Sequence, residues 1–373
     1  MTVAWNRSLI LLPVLAALVL TGLWLSVLPD SLVVYCAHDA VYAQEILDEF
    51  TRQTGLPVQV RFDTEATKSL GLINLIVQER QPPRCDVFWN NELLGMVELR
   101  EQGLLEPYQG SGWQRIPEQY RDADGYWVGF AARMRVYIFH RDQVPVTEET
   151  IRDLIELEPA RIAMAKPLFG TTLTHYTVLW QLWGAERLKA WHADLRLRGL
   201  REVDGNAAVK DVVAMGTCDV GFTDNDDFFV ALDDGLPVEM LPVRLMSMAA
   251  NRSPADADKA TTGGGSSAAA GQVDSSREAG GLTICIPNTV GIIKGTRRQG
   301  AAQRLVDFLT SADTELALAR AKSRQIPLGP VDSSQLPDDV RKLTEWSRDG
   351  VDLRPLLPAR RACLKWLQTE YLK

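Results

Sequence analysis

The chain has few cysteines and no excess of positive charge, and each scarcity excludes a class of protein. Its five cysteines among 373 residues are dispersed and odd in number, and no pair has the close spacing of a zinc knuckle or a redox motif. Forty lysines and arginines stand against 48 aspartates and glutamates, which argues against a nucleic-acid binder with a basic face. Because Cys85, Cys218 and Cys285 lie in or beside apolar runs, we interpret the cysteines as small buried hydrophobic residues. One disulfide is the alternative.

The motifs of common hydrolases and nucleotide-binding enzymes are also missing. The chain has no Gly-x-Ser-x-Gly, no His-Glu-x-x-His and no glycine-rich phosphate loop. Asp224-Asn225-Asp226 follows an apolar run and loosely resembles the paired aspartates of magnesium-dependent phosphatases, but no matching nucleophile accompanies it. We therefore predict a protein that is not an enzyme and has no cofactor.

The N-terminus predicts export. Arg7 precedes an apolar run from Leu9 to Leu28, and about twenty apolar residues suffice to span a bilayer as a helix. Since no Ala-x-Ala cleavage motif follows, residues 1–30 are predicted to form an uncleaved membrane anchor, with a cleaved signal peptide as the alternative. Either form places the rest of the chain in the periplasm or at the extracytoplasmic face of the membrane.

Chain length and composition predict two globular domains and one segment outside them. A chain of 373 residues with 46% hydrophobic and 24% charged residues is too long for one ordinary core and typical of a folded protein. Residues 251–281 are rich in Ala, Gly, Ser and Asp, and such a segment buries too little apolar surface to offset its ordering entropy. We predict that it is a disordered surface insertion.

Strand and helix patterns alternate along most of the chain, which predicts an α/β fold with mostly parallel sheets. Apolar runs at Leu32–Tyr35 and Val58–Phe62 are each followed by a helical pattern, and Gly55 ends the first helix. Trp127–His140 is an unusually long extended run, and Leu282–Ile293 is predicted to return alongside it. These two strands would connect the two domains.

Polar clusters follow the predicted strands, at the edge of an open sheet where ligands bind. The candidate binding residues are His38, Asp39, Thr64, Glu65, Trp89, Asn90, Asn91, Thr171, Thr172, Asp224, Asp226 and Asp227. Carboxylates and an imidazole suit a cation, whereas hydroxyls at helix starts suit an anion. Helix capping alone also explains several of these residues, so both interpretations stay open.

Between residues 32 and about 330, the sequence resembles the extracellular solute-binding proteins of ABC importers, in particular their ferric-ion-binding group. The resemblance lies in Tyr35 through Phe50, Asp86-Val87-Phe88, Gly103-Leu104-Leu105, Ala131–Tyr137 and Ile286-Pro287-Asn288-Thr289-Val290. It implies a type 2 periplasmic-binding fold of two lobes, each a mostly parallel sheet flanked by helices, behind the N-terminal transmembrane helix. The expected bounds are 31–128 with about 286–330 for lobe 1, and 129–285 with about 331–373 for lobe 2.

The resemblance also implies a set of ligand positions, from which this chain departs. The ferric binders hold iron with a histidine, a glutamate and two adjacent tyrosines. Aligned with that pattern, Asp39 falls near the histidine, Asn91 near the glutamate and Asp226-Asp227 on the tyrosine pair. The chain has no Tyr-Tyr pair, so the metal ligands implied are His38, Asp39, Asp226 and Asp227.

The function that the resemblance implies is capture of a metal ion, foremost ferric iron, and its delivery to an ABC permease. Iron would be cargo, and the partners would be the permease, the solute and, through the N-terminal helix, the membrane. Nucleic acid is not an expected partner. The alternatives are an organic solute, either a polyamine held by carboxylates and Trp89 or a phosphonate-type anion held by the hydroxyl-rich turns, and a sensor that has lost transport.

Overall fold

A computed structural model describes residues 31–63, 69–245 and 281–371 of the chain. The expected N-terminal anchor, residues 1–30, lies outside the described residues, as do Thr64, Glu65 and all but the last residue of the expected insertion 251–281. Among the helices that are described, none is both long enough and apolar enough to cross a membrane.

The strands follow the expected pattern closely within the described ranges. They are β1 (Leu32–Cys36), β2 (Val58–Phe62), β3 (Val87–Asn90), β4 (Leu105–Glu106), β5 (Val128–His140), β6 (Ile162–Ala165), β7 (Arg201–Val203), β8 (Val220–Asp224), β9 (Val238–Pro242) and β10 (Cys285–Ile293).

Helices fill most of the connections. They are α1 (Ala40–Thr54), α2 (Leu70–Gln78), α3 (Leu94–Glu101), α4 (Ser111–Arg115), α5 (Glu148–Leu157), α6 (Gly170–Trp183), α7 (Ala185–Leu197), α8 (Asn206–Ala214), α9 (Asn225–Asp233), α10 (Gln299–Leu309), α11 (Ala312–Arg320), α12 (Asp338–Trp346) and α13 (Leu357–Tyr371).

Helix α1 illustrates why these segments fold as they do. Ala43, Ile46, Leu47 and Phe50 recur at helical spacing and are buried along one face. The helix ends at Gly55, which adopts φ +70° and donates its N–H to the carbonyl of Thr51. Glycine occupies this left-handed position without the steric penalty that a Cβ would bring.

The strands form one mixed sheet with the order β2-β1-β3-β10-β5-β8-β6-β7, in which β4 also pairs with β10 and β9 with β5. Strand β1 is parallel to β2 and β3, and β6 is parallel to β7 and β8. The long strands β5 and β10 run antiparallel to each other in the middle. We call β1–β4 with β10 the first sheet region, and β6–β9 the second sheet region.

Strand β5 joins the two regions by changing partners along its length. Its first half, up to Met134, pairs with β10, and its second half, from Arg135, pairs with β8 and β9. The change of partner lies five residues beyond Gly129, where the sequence suggested that the second domain begins. The domain bounds as a whole stay a prediction.

The core is apolar on both sides of this junction. Phe50, Trp89 and Phe130 are buried in the first region, and Ile138 and Phe229 are buried in the second. All five cysteines lie among the described residues, are buried and form no disulfide. The interpretation of the cysteines as small buried hydrophobic residues is therefore confirmed.

Candidate binding cleft

A cavity of about 190 Å³ lies at the carboxyl ends of β1, β3, β6 and β8, where the chain enters the following helices. It lies beside the point at which β5 changes its strand partners. Polar residues from both sheet regions line it. They include Asp39, Tyr42, Asn91, Arg133, Lys166, Thr171, Thr172, Asn206, Asp224, Asp226 and Asp227. The cavity therefore occupies the position at strand ends where α/β proteins bind their ligands.

The wall from the first sheet region carries Asp39, Tyr42 and Asn91. Asp39 precedes α1 in an extended conformation, and its side chain accepts no capping hydrogen bond from the described first turn of that helix. Its carboxylate thus lines the cavity without serving as a cap. Burial, with the nearby charge of Asp226, raises the pKa of Tyr42 to about 12, so its phenol stays protonated at neutral pH.

Asp224, at the end of β8, accepts hydrogen bonds from three side chains in the opposite wall. Its Oδ1 accepts from Nη1 of Arg135 at 2.8 Å. Its Oδ2 accepts from the Thr171 hydroxyl at 2.6 Å and from Nδ2 of Asn206 at 2.9 Å. With both oxygens occupied, Asp224 holds the starts of α6 and α8 in place along the cavity.

Asp226 and Asp227 stand in the first turn of α9 and complete a carboxylate cluster with Asp224. One oxygen from each of the three lies within 4.8 Å of the others. The backbone N–H of Asp227 donates to Oδ1 of Asp226 at 3.1 Å, and the Thr223 hydroxyl donates to Oδ2 of Asp227 at 2.9 Å. Clustered oxygen donors are the composition that hard cations prefer.

The charges of this cluster act on one another. Burial, together with the negative charges of Asp226 and Asp224, raises the pKa of Asp227 well above its ordinary value. Like charges held close together disfavour full ionisation. A cation entering the cavity would relieve this repulsion.

Two cations also line the cavity, Arg133 and Lys166. Nη1 of Arg133 lies 3.8 Å from Oδ2 of Asp224 and 3.7 Å from Oδ2 of Asp226, while its Nη2 donates to the Asn91 carbonyl at 2.5 Å. Lys166 pairs with Asp204 at 2.7 Å. The cavity is therefore of mixed charge.

Seven of the residues that the sequence suggested line this one cavity. They are Asp39, Asn91, Thr171, Thr172, Asp224, Asp226 and Asp227. They come from distant parts of the chain, and the sheet order brings their strand ends together. Thr64 and Glu65 lie outside the described residues.

His38, Trp89 and Asn90 lie behind the cavity instead of lining it. His38 is 2% exposed; its Nε2 lies 2.9 Å from Nε2 of Gln325, and its ring centroid is 5.5 Å from that of Trp89. Asn90 is fully buried and donates from Nδ2 to Oε1 of Glu92 at 3.2 Å. Each belongs to the packing under the first wall.

Arg133, Asn206 and Tyr42 also line the cavity, and sequence reasoning missed them. Arg133 and Arg135 carried a signal: they are the charged residues of an otherwise apolar strand, two positions apart and hence on one face. A buried charge in a strand requires a partner. Asn206 and Tyr42 carried no comparable signal, because asparagine at a helix start and tyrosine in an amphipathic helix are both ordinary.

Known proteins share this sequence pattern and fold. The chain is 26% identical over 194 residues to the Fe(3+)-binding periplasmic protein of Serratia marcescens, covering 52% of this chain and 56% of that protein. It is 24% identical over 311 residues to the major ferric iron-binding protein of Neisseria meningitidis, covering 80% of each. The crystal structure of the apo ferric ion-binding protein A of Pasteurella haemolytica matches with a TM-score of 0.71 at 18% identity, covering 91% of this chain and 97% of that one.

These comparisons establish the fold and the family. The structural match covers 91% of this chain and supports the two-lobed periplasmic-binding fold. We take the first and second sheet regions as its two lobes. The match to the Serratia protein spans little more than half of that protein's length. The family model for bacterial extracellular solute-binding proteins matches residues 32–321. This chain belongs to the family of bacterial extracellular solute-binding proteins.

Proposed function

We propose that this protein is the extracytoplasmic receptor of an ABC importer, and that it captures a metal ion, foremost ferric iron, for delivery to a permease. Its family is one of binding proteins and not of enzymes, and relatives from Serratia and Neisseria are named for binding ferric iron. The proposal includes a periplasmic location and attachment to the membrane through residues 1–30.

One observation carries the proposal. In the resemblance to the ferric-binding group, Asp39 and Asn91 fall near iron ligands and Asp226-Asp227 falls at the tyrosine pair, and all four line a single cavity between the lobes. They lie in three separate segments of the chain, before α1, after β3 and in α9, so nothing in the local sequence forces them together. Their convergence supports a shared ligand.

The ligands we propose are carboxylate oxygens of Asp39, Asp226 and Asp227, assisted by Asn91. Carboxylates are hard oxygen donors and can replace phenolates in neutralising a hard cation. Asp224 is excluded because Arg135, Thr171 and Asn206 already occupy its oxygens. His38 is excluded because it lies behind the wall against Gln325 and Trp89.

Binding would proceed by closure of the two lobes around the cargo. Asp39 and Asn91 belong to the first lobe, and Asp226 and Asp227 belong to the second. Since β5 pairs with the first lobe along its first half and with the second lobe along its second half, bending of this strand would bring the two sets of ligands onto one ion. Release to the permease would reverse the closure.

A phosphonate-type solute is the second candidate, and a specific feature of the second wall favours it. Thr171 and Thr172 open α6, Asn206 opens α8, and Lys166 lies beside them at the cavity. Helix starts with hydroxyl groups and a nearby ammonium are suited to an anion. A polyamine fits less well, because Trp89 is fully buried and Arg133 places a positive charge in the cavity.

Thermal-shift titration of the chelator-stripped chain would test the proposal, with ferric citrate, Mn²⁺, Zn²⁺, spermidine, phosphate and aminoethylphosphonate as ligands. A ligand that binds the folded state raises the melting midpoint by mass action. We expect a shift with ferric iron that Asp226→Asn abolishes. The matched control is Asp211→Asn, an aspartate of the same lobe on α8, which does not line the cavity.

The other outcomes separate the candidates. A shift with aminoethylphosphonate or phosphate, but none with any metal, would reject the metal assignment in favour of the second candidate. A shift with spermidine alone would reject both. An equal loss of the iron response in Asp211→Asn and Asp226→Asn would show that the cleft is not where iron binds.

A further inference from the structure

Arg133 connects the two walls of the cleft. Its backbone pairs with Ile286 of β10, within the first lobe. Its guanidinium donates to the Asn91 carbonyl of the first lobe at 2.5 Å and lies 3.7 Å from Asp226 of the second. One side chain therefore spans the gap that cargo would fill.

The surroundings keep this side chain charged and in place. Arg133 is 3% exposed. Although burial lowers the pKa of its guanidinium, the charges of Asp226, Asp224 and Asp39 outweigh burial and raise it. A buried guanidinium needs carboxylate partners, and these partners are the acids that line the cavity.

Arg133 is not required to neutralise Asp224. Arg135 approaches that carboxylate to 2.8 Å, whereas Nη1 of Arg133 stays 3.8 Å from it. The two arginines thus differ in position: Arg135 lies behind the wall, and Arg133 lines the cavity. What Arg133 neutralises is the Asp226 side of the cluster, where a cation would bind.

We propose that Arg133 is an internal cation that occupies the carboxylate cluster of the empty protein and ties its lobes together, so that cargo must displace it to bind. The cargo part of this inference rests on the proposed function, whereas the lobe contact does not. Arg133 would then determine how readily the cleft opens and how strongly a cation must bind to be retained.

The energetic consequence follows from competition. A cation entering the cluster has to break the contacts of Arg133 with Asp226 and Asn91. Its apparent affinity is therefore its intrinsic affinity multiplied by the fraction of molecules in which these contacts are broken. Weakly bound divalent ions would be excluded first. A hard trivalent ion, with a larger attraction to the carboxylates, would still displace the guanidinium.

Arg133→Met tests both parts, since methionine keeps an unbranched side chain without the charge. The matched control is Arg298→Met. Arg298 pairs with Asp86 at a distance of 3.4 Å and does not line the cavity. Two measurements apply to the full chain: terbium(III) luminescence for affinity, and the distance between spin labels at Glu45→Cys on α1 and Glu186→Cys on α7. The native cysteines are buried, so labelling would be confined to the introduced pair.

In the empty protein, we expect Arg133→Met to increase the mean distance between the spin labels and to broaden its distribution. We also expect it to raise terbium affinity by about tenfold or more. Arg298→Met should change neither the distance nor the affinity. An unchanged distance would overturn the proposal, and so would a lower terbium affinity, which would show that Arg133 supports the binding site instead of competing with the cargo.

The proposal can still be tested if terbium does not bind or if the variant does not fold. If terbium binds neither the wild type nor Arg133→Met, the metal function fails, and the distance alone decides whether Arg133 ties the lobes. If Arg133→Met does not fold, Asp226→Asn removes the partner charge instead. The same widening of the empty protein is then expected, and its absence would overturn the proposal.

Discussion

Nη1 of Arg135 lies 2.8 Å from Oδ1 of Asp224, and both residues are almost completely buried at the back of the cleft. Thr171 and Asn206 bond to the other oxygen of the same carboxylate. This arrangement fixes the starts of α6 and α8, which form the second wall. The wall thus depends on a buried ion pair in which Asp224 lines the cavity and Arg135 lies behind it.

Asp224→Ala should strongly destabilise the protein. Removal of the carboxylate leaves Arg135 as a buried charge without its partner, and breaking a buried pair in this way costs about 3–5 kcal/mol. Urea unfolding would measure the loss. Asp211→Ala, a half-exposed aspartate of α8, should change stability by no more than about 0.5 kcal/mol. A comparably small effect of Asp224→Ala would contradict the structural role assigned to it.

Asp227 should make stability fall as pH rises. Burial and its acidic neighbours raise the pKa of its folded form well above the ordinary value of 3.8, so the folded state binds this proton more tightly than the unfolded state. The resulting stabilisation is present below pH 3.8 and is lost as pH rises through the folded pKa. Urea unfolding gives the free energy of unfolding of the wild type and of Asp227→Asn at each pH. The difference between the two proteins isolates this contribution, because the other ionisable groups titrate in both proteins. Parallel pH profiles would refute it.

Gly221→Ala should loosen the second wall. A Cβ on Gly221 of β8 would overlap the Val209 and Val213 side chains of α8, and such overpacking costs about 1–3 kcal/mol. Since α8 carries Asn206 to the cavity, ligand affinity should fall together with stability. The control is Gly300→Ala in α10, where an added Cβ meets nothing; a gain of up to about 1 kcal/mol is expected there. Denaturant unfolding and ligand titration of both variants would test this.

The cysteines should be unreactive in the native protein. All five are buried, and burial raises the pKa of the Cys285 and Cys363 thiols to about 12, so almost no reactive thiolate forms at neutral pH. Ellman's reagent should label none of them rapidly in buffer and all five in guanidinium chloride. Three labelled thiols in the denatured chain would instead reveal one disulfide.

Much of the fold was predictable because its signals are local. Val58–Phe62 begins and ends where the apolar periodicity predicts, and β5 and β10 lie within the predicted runs Trp127–His140 and Leu282–Ile293. Helix α5 was missed, although Ile151, Leu154 and Ile155 form its buried face. The short strand β7 was also missed. Strand β7 has only three residues and carries little periodicity of its own.

The site was predictable only in part. Asp39, Asn91 and Asp226 could be found because polar residues directly after a buried strand lie at the ligand-binding edge of the sheet. The direction of a side chain at that edge is not a local property. His38 is adjacent to Asp39 in the chain, yet it packs against Trp89 and Gln325 while Asp39 lines the cavity.

The sequence by itself determined the alternation of strands and helices, the two-domain organisation expected of such a length, and the family. Each depends on the order and periodicity of residue types along the chain. The tertiary structure alone decided that Arg133 reaches both Asn91 and Asp226, and that Asp224 is occupied by Arg135. Those contacts join residues up to 93 positions apart because the sheet order brings their strand ends together, and no local pattern encodes that closeness.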